Sequence, residues 1–250
     1  MRLDKFIAHC TGASRNEVKR WLHAEKVTVA EKTVKNSKQQ ITSEQMVRVN
    51  GQALQYPHPR YFMLNKPAGV VCSNDDGEHP TALDCLKGIS QSNLQIAGRL
   101  DKDTTGLVLI TDDGQWNHKI TAPRAAKNKV YLASLAQPIS ESAAQDYITQ
   151  FANGLQLNGE SKLTRPAQLA FINEREARVT LQEGRYHQVR RMFAACGNRV
   201  VSLHRESIAG IVLDSTLAPG QFRALTEAEL TQTLIAQKHN AQPKSTDSHS

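Results

Sequence analysis

Segment 98–111 begins with a polar turn and continues into an apolar run. The turn contains one arginine and two acids. Arg99 precedes Asp101, and Asp103 follows soon after it. An opposite charge nearby favours the ionised form of a carboxyl group, which is the form that a nucleophile or a general base needs. A solvated loop in which Asp103 caps a turn would show the same pattern, so the spacing alone leaves both interpretations open.

A second basic group lies in segment 183–193, where a predicted strand is followed by a predicted helix. Apolar residues from Val189 to Cys196 form the buried stripe of that helix, so Arg191 projects roughly opposite and Arg190 lies on the flank. Guanidiniums near a helix start oppose the helix dipole and favour an anionic partner, such as a carboxylate or a phosphate. We therefore predict that Arg191 binds substrate; two ordinary surface arginines are the alternative.

Lys66 and Tyr131 are two further candidates. Lys66 ends a predicted strand at a sharp turn, where functional side chains often collect, and we predict that it binds substrate. Tyr131 lies between Val130 and Leu132 in a predicted strand and faces the opposite side of it. In isolation this pattern favours a core tyrosine with a bonded hydroxyl. Beside a catalytic acid, the same ring would be a platform for an extruded base.

Several classes of protein are disfavoured by what the sequence lacks. It contains no dinucleotide-binding, Walker, zinc-protease or serine-hydrolase motif. The acidic stretches 75–78 and 112–114 are typical of turns, so we predict no metal and no cofactor. No apolar run approaches the roughly 18 residues of a membrane span. The widely separated cysteines indicate neither disulfides nor a zinc site, and a cytoplasmic location is expected; they are Cys10, Cys72, Cys85 and Cys196.

Positive charge is concentrated near the N-terminus. Residues 1–60 contain 11 Lys and Arg against five Asp and Glu, whereas residues 61–230 contain 18 of each sign. A basic segment on a neutral body predicts that the segment binds a polyanion while the body has another function. Alternatively, the basic segment is a soluble domain whose charge serves no binding function. A length of 250 residues favours two domains.

Hydrophobic periodicity predicts the elements that must position these residues. Two short helices, the second beginning at a capping box in 14–17, precede strands at 27–29 and 46–49 and a turn at 50–51. We expect this small α/β domain to span residues 1–58 and to end at an extended proline-containing linker. The helices leave a basic outer face for RNA, made by Arg2, Lys5, Arg15, Lys19 and Arg20.

Beyond the linker, the pattern favours a mixed α+β domain over residues 59–232, followed by a disordered tail at 233–250. The predicted strands lie at 61–64, 70–72, 107–111, 130–135, 167–172 and 178–181.

These motifs resemble one family along nearly the whole chain, the bacterial ribosomal pseudouridine synthases that carry an N-terminal S4 RNA-binding domain. The resemblance implies an S4-like domain followed by a catalytic domain built on a mainly antiparallel sheet. It rests on segments 2–6, 14–15 and 27–29 for the S4 part, and on 61–67, 98–106 and 184–192 for the catalytic part.

The resemblance also implies roles for individual residues. Asp101 matches the catalytic aspartate, and Tyr131 matches a tyrosine that stacks on the target base. Arg190 matches a basic residue that pairs with that aspartate, and Arg99 matches an arginine that helps to displace the target nucleotide. The reaction breaks the N1–C1′ bond of uridine, turns the uracil and rejoins it through C5, which requires no cofactor. Asp101 could act as nucleophile or as base, and the sequence does not choose between them.

Segments 111–116 and 204–206 are most similar to the branch that modifies uridine 516 of 16S ribosomal RNA. The implied partner is that RNA, either free or in an assembly intermediate of the 30S subunit, and the implied enzyme is a monomer that binds no membrane. Three alternatives remain: the same chemistry on 23S ribosomal RNA, an inactive RNA-binding relative, and a glycosidase that uses Asp101 and Asp103 as an acid pair.

Overall fold

The chain divides into two compact units in a computed structural model that describes residues 1–55, 58–74 and 76–235. The first unit comprises the described residues of 1–59 together with 90–93, and the second comprises those of 60–89 and from 94 onward. The predicted tail begins inside the last helix, which extends to residue 235. The remainder of that tail lies outside the described residues.

The first unit packs two helices against a four-stranded antiparallel sheet with strand order β2-β1-β3-β4. Its elements are α1 (Leu3–Thr11), α2 (Arg15–His23), β1 (Val27–Val29), β2 (Lys32–Thr33), β3 (Val47–Val49) and β4 (Gln52–Leu54).

Local signals in the sequence account for two boundaries in this unit. The Ser14 hydroxyl accepts a bond from the Glu17 amide at 3.3 Å, and the Glu17 carboxylate accepts one from the Ser14 amide at 2.8 Å. This reciprocal capping box begins α2, as predicted. Asn50 and Gly51 have φ angles of 49° and 79°, the left-handed pair that a tight hairpin between β3 and β4 requires.

The second unit is built on a larger, mainly antiparallel sheet, which confirms the expected architecture. Its main path has the order β13-β5-β7-β11-β8-β10-β9, with β6 paired to β7 and β12 paired to β11. The strands are β5 (Tyr61–Lys66), β6 (Gln95–Ala97), β7 (Thr105–Thr111), β8 (Lys129–Leu135), β9 (Gln168–Asn173), β10 (Glu176–Leu181), β11 (Val200–Ile208), β12 (Ile211–Val212) and β13 (Phe222–Ala224). The helices are α3 (Gly114–Thr121), α4 (Glu141–Asn153), α5 (Gln188–Ala195) and α6 (Glu227–Ile235), with a short 3-10 helix at Pro123–Ala125.

Apolar layers cover both faces of this sheet. Val108 and Ile110 belong to one buried cluster, whereas Leu107 and Leu109 belong to another on the opposite face. A strand buried on both faces needs a continuous apolar run rather than an alternating one. The run that follows the polar turn therefore forms β7, which begins at Thr105, four positions after Asp101.

One predicted strand of this unit was wrong, and the strands β6, β11, β12 and β13 were not predicted. Segment 70–72 forms only an isolated bridge between Val71 and Thr81. Conversely, β11 was not predicted, although it lies between β7 and β8 and pairs in parallel with β7. Its sequence contains His204, Arg205 and Glu206, and these polar residues interrupt the apolar pattern that is typical of a central strand. Arg205 is nevertheless fully buried.

Candidate active site

A cavity of about 1010 Å³ in the second unit brings together residues that are far apart in the sequence. It is lined by the turn at 98–102, by loop 181–189 and by side chains of β8 and β11. Arg99, Asp101 and Tyr131, three of the predicted site residues, all line it.

Hydrogen bonds to the backbone of the turn hold Asp101 in place. Arg205 donates from Nη2 to the carbonyl of Gly98 and from Nη1 to that of Arg99, at 2.5 and 3.3 Å. The Thr104 amide bonds to the Asp101 carbonyl at 3.1 Å, and the Gly69 amide bonds to the Lys102 carbonyl at 2.9 Å. Since the backbone is bonded on both sides of Asp101, the side chain is presented from a rigid turn.

Gly106 allows β11 to approach this turn closely. Its φ is 101°, and a Cβ at this position would collide with the backbone nitrogen and oxygen of Arg205. Only glycine combines that backbone angle with so close a neighbouring chain. Gly106 pairs directly with Arg205 in the parallel ladder, so the glycine helps to determine the position of the buried Arg205 side chain.

The carboxylate of Asp101 faces the cavity and is 38% exposed. It accepts no hydrogen bond from any residue in the described part of the chain, and its Oδ2 lies 3.7 Å from Nε2 of His187. That contact is an ion pair only while the imidazole is protonated. The carboxylate is therefore free to contact a substrate.

Tyr131 lies on the wall of the same cavity, and only 9% of it is exposed. It faces the same side of β8 as Ala133 and Leu135, as the alternation predicted. The guanidinium carbon of Arg205 is 6.0 Å from the ring centroid, within cation–π range. Arg205 thus contacts both the turn that carries Asp101 and the ring of Tyr131.

The cavity lining is strongly basic. It has two acidic side chains, Asp101 and Glu183, against six cationic ones: Arg99, Lys102, Lys129, Arg165, Arg185 and Arg205. Cations around a cleft raise the local concentration of an anionic ligand and suit a phosphate backbone. The cavity thus combines an accessible carboxylate and an aromatic ring with a surface that attracts a polyanion.

The expected pairing of Arg190 with Asp101 is wrong. Arg190 instead forms an ion pair with Asp103, with Nη2 2.8 Å from Oδ2, and donates from Nη1 to the Val200 carbonyl at 3.1 Å. The bond to Val200, at the start of β11, holds the Arg190 guanidinium next to Asp103, whose carboxylate is more exposed than that of Asp101. Arg190 and Asp103 do not line the cavity.

Lys66 and Arg191 were predicted to bind substrate, but both bind groups within the protein. The Lys66 ammonium is buried and donates to the carbonyls of Pro67, Val70 and Lys102 at 2.9, 2.7 and 3.2 Å. Burial lowers the pKa of Lys66. Arg191 donates to the Asn158 carbonyl at 2.6 Å and pairs with a Glu160 oxygen at 3.0 Å. Neither residue lines the cavity, because three carbonyls enclose Lys66 and loop 158–160 holds Arg191.

In the first unit, four of the predicted RNA-binding side chains are exposed: Lys5, Arg15, Lys19 and Arg20. Arg2 is only partly available, because Nη2 lies 2.6 Å from the buried carboxylate of Asp4. The hydrogen bond from Arg2 is the main cause of the lowered pKa of Asp4.

Sequence reasoning missed Arg205 and His187 as site residues. Arg205 gave no signal because an arginine inside a strand is normally exposed. His187 stands in the left-handed region, with φ of 48°, immediately before α5. The sequence pattern of 183–193 predicted a helix after a strand, but it does not indicate that the imidazole points toward Asp101.

Two other kinds of feature are missing from the described residues. No group of three or more His, Cys, Asp or Glu residues there could hold a metal ion. No helix there is both long and apolar enough to cross a membrane.

Comparisons with known proteins agree with this arrangement. A family model for RNA pseudouridylate synthase matches residues 60–195, and one for the S4 domain matches residues 1–47. The chain is 53% identical to a Yersinia pestis protein named ribosomal small subunit pseudouridine synthase A, over 92% of this chain and 97% of the relative. Its identity to the Escherichia coli (strain K12) protein of the same name is 52%, over 92% and 98% of the two chains.

A solved structure described as a pseudouridylate synthase also matches the fold. It has a TM-score of 0.67 and 44% identity, and the match covers 93% of this chain and 99% of that one. The chain therefore belongs to the RNA pseudouridylate synthases, enzymes that isomerise uridine in RNA to pseudouridine, and it carries an N-terminal S4 domain.

Proposed function

We propose that this enzyme converts one uridine of 16S ribosomal RNA, at position 516, to pseudouridine, with Asp101 as the catalytic carboxylate. The observation that carries the catalytic assignment is that Asp101 and Tyr131 line one basic cavity. The small-subunit target is supported by relatives about half identical to this chain and named for the ribosomal small subunit.

In this proposal the target base leaves its stack and enters the cavity, which costs a few kcal/mol. Stacking on Tyr131 returns about 1–3 kcal/mol of that cost. Arg99 is exposed at the cavity wall and assists the displacement by contacting the phosphate backbone or the space that the base leaves.

The isomerisation conserves atoms and electrons. The N1–C1′ bond breaks, the uracil turns while the cavity retains it, and a C5–C1′ bond forms as the proton of C5 is replaced by one on N1. Asp101 acts either by attacking the substrate or by removing a sugar proton. Both roles suit a carboxylate that is presented from a rigid turn and bonded to no described residue.

The enzyme acts as a monomer in this proposal. The proposed substrate is made and assembled in the cytoplasm. The partner is 16S ribosomal RNA, alone or in a partly assembled 30S particle.

Mapping pseudouridines in a strain that lacks this enzyme tests the target directly. Carbodiimide adducts stop reverse transcriptase at pseudouridine, and 16S and 23S RNA are compared between the deletion strain and its parent. We expect the stop at position 516 of 16S RNA to vanish and to return when the wild-type enzyme is expressed. Loss of a stop in 23S RNA instead would replace the proposed target. Purified enzyme, free 16S RNA and partly assembled 30S particles then identify the form of the substrate.

We further propose that α2 of the S4 domain contacts RNA phosphates through its exposed cations. Replacing Arg15, Lys19 and Arg20 with glutamine removes three positive charges that form no ion pair with any described residue. Each phosphate that is no longer neutralised reduces the magnitude of the slope of log affinity against log salt by about 0.7–0.9, so we expect the loss of three contacts to reduce it by about 2–3. Fluorescence anisotropy with a labelled 16S fragment measures the slope between about 50 and 300 mM salt.

A charge-matched variant controls for net charge. Lys26, Lys32 and Lys38 are exposed and lie outside both helices. If their replacement with glutamine lowers the slope as much as the α2 variant does, RNA binding is not localised to α2.

A further inference from the structure

Tyr186 lies on the edge of the cavity and is unusually exposed for an aromatic residue. The exposed fraction is 75%, whereas Tyr131 in the same cavity is 9% exposed. The Tyr186 ring stacks on the imidazole of His187, with centroids 3.9 Å apart and planes 14° from parallel. One face of the His187 ring is thus covered by an aromatic platform that extends toward solvent.

Loop 184–187 holds this platform rigidly. The Arg185 guanidinium donates to the carbonyls of Lys162 and Leu163 at 2.8 and 2.6 Å. The Tyr186 carbonyl accepts a bond from Arg191 Nη1 at 3.1 Å. A stacking surface held in advance loses little conformational entropy when a ligand binds.

His187 joins this platform to Asp101, because its Nε2 lies 3.7 Å from Oδ2 of Asp101. A ligand stacked on Tyr186 would therefore lie near the target base but outside the position assigned to Tyr131. Arg99 and Arg165 line the same cavity and form no salt bridge with any described residue, so the ring borders a positively charged surface. An exposed ring among cations suits an unpaired nucleobase on a phosphate backbone better than an apolar protein segment.

We propose that Tyr186, supported by His187, is a stacking subsite for the nucleobase adjacent to the target uridine. When the target leaves the RNA stack, its neighbour loses one stacking partner, and Tyr186 replaces it. This inference rests on RNA being the substrate, but it does not depend on which uridine is modified.

A thermodynamic cycle between the ring and the base tests this subsite. The RNA is a short fragment around whichever uridine the mapping experiment identifies, so an error in the target does not affect the result. Three fragments are compared: the unmodified one and two with an abasic site immediately 5′ or 3′ of the target. Dissociation constants come from anisotropy, and kcat and KM come from tritium release at C5 of the target.

Tyr186→Ala is expected to raise KM and Kd about tenfold, because the loss of one stacked base weakens binding by about that factor, with kcat within about twofold of wild type. Tyr186→Phe keeps the ring and should match wild type. Wild type should bind one of the two abasic fragments about tenfold more weakly than the unmodified fragment. Tyr186→Ala should bind that abasic fragment and the unmodified fragment equally well. Ile172→Ala removes a 50% exposed side chain that does not line the cavity, and it serves as the control.

The proposal is overturned if Tyr186→Ala binds the unmodified fragment as wild type does. It is also overturned if both abasic fragments weaken binding to wild type and to Tyr186→Ala by the same factor, because the ring and the base would then act independently. Thermal unfolding of Tyr186→Ala shows whether the loop and α5 remain intact.

Discussion

Asp101→Asn is expected to abolish pseudouridine formation, with a rate at least about 10³-fold below that of wild type. The amide keeps the shape of the side chain but has no negative charge, so it acts neither as nucleophile nor as base. The measurement is single-turnover tritium release from RNA labelled at C5 of uridine. Because the carboxylate bonds to no described residue, we expect the thermal unfolding temperature and RNA affinity to remain near wild type.

Asp103→Asn is the matched control for this prediction. The Asp103 carboxylate is 64% exposed, pairs with Arg190 and lies outside the cavity. An exposed ion pair contributes about 0–1 kcal/mol to stability, so activity should remain within a few fold of wild type. Equal losses in the two variants would favour the acid-pair hydrolase alternative, and turnover by Asp101→Asn would remove Asp101 from the mechanism.

Arg205→Met is expected to have the second largest effect, and it acts through position rather than chemistry. The substitution removes the donors to the carbonyls of Gly98, Arg99 and Leu107. Each buried carbonyl left without a partner costs about 1–3 kcal/mol, partly offset because methionine needs no desolvation of a charge. We expect the free energy of unfolding to fall by about 3 kcal/mol, measured by urea denaturation.

The same substitution should lower kcat about 10²-fold, because the turn that carries Asp101 loses its bonds to β11 and a shift of about 1 Å has that effect. The readout that separates positioning from simple instability is kcat at low temperature, where the folded fraction is verified by circular dichroism. Arg205→Lys keeps a donor and should recover part of kcat.

Arg178→Met is the control for loss of an arginine from this sheet. Arg178 lies on β10, is 49% exposed and pairs with Glu206 at 2.7 Å. An exposed pair of this kind contributes about 0–1 kcal/mol, so both stability and kcat should stay near wild type. If Arg205→Met behaved like Arg178→Met, Arg205 would have no positioning role.

Local signals in the sequence were sufficient for much of the architecture. The capping box at Ser14, the hairpin turn at Asn50 and the apolar run of β7 each depend on residues close in the chain. The resemblance of several motifs indicated the family, which the comparisons then showed. It also singled out Asp101, Tyr131 and Arg99, and the fold brings these three into one cavity.

Only the tertiary structure decided which charged side chains face that cavity. Lys66, Arg190 and Arg191 have sequence contexts as favourable as that of Arg99, but each is bound by carbonyls or acids of the protein, at least one of them from a distant segment. Arg205 and His187 enter the site because β11 pairs in parallel with β7 and because one residue before α5 is left-handed. The physical reason is that the long side chains of arginine and lysine reach partners far away in sequence, and burial makes such partners obligatory. Periodicity thus predicted β5, β7, β8, β9 and β10, whereas strand pairing brought β11 into the centre of the sheet and determined which charged side chains remain available to substrate.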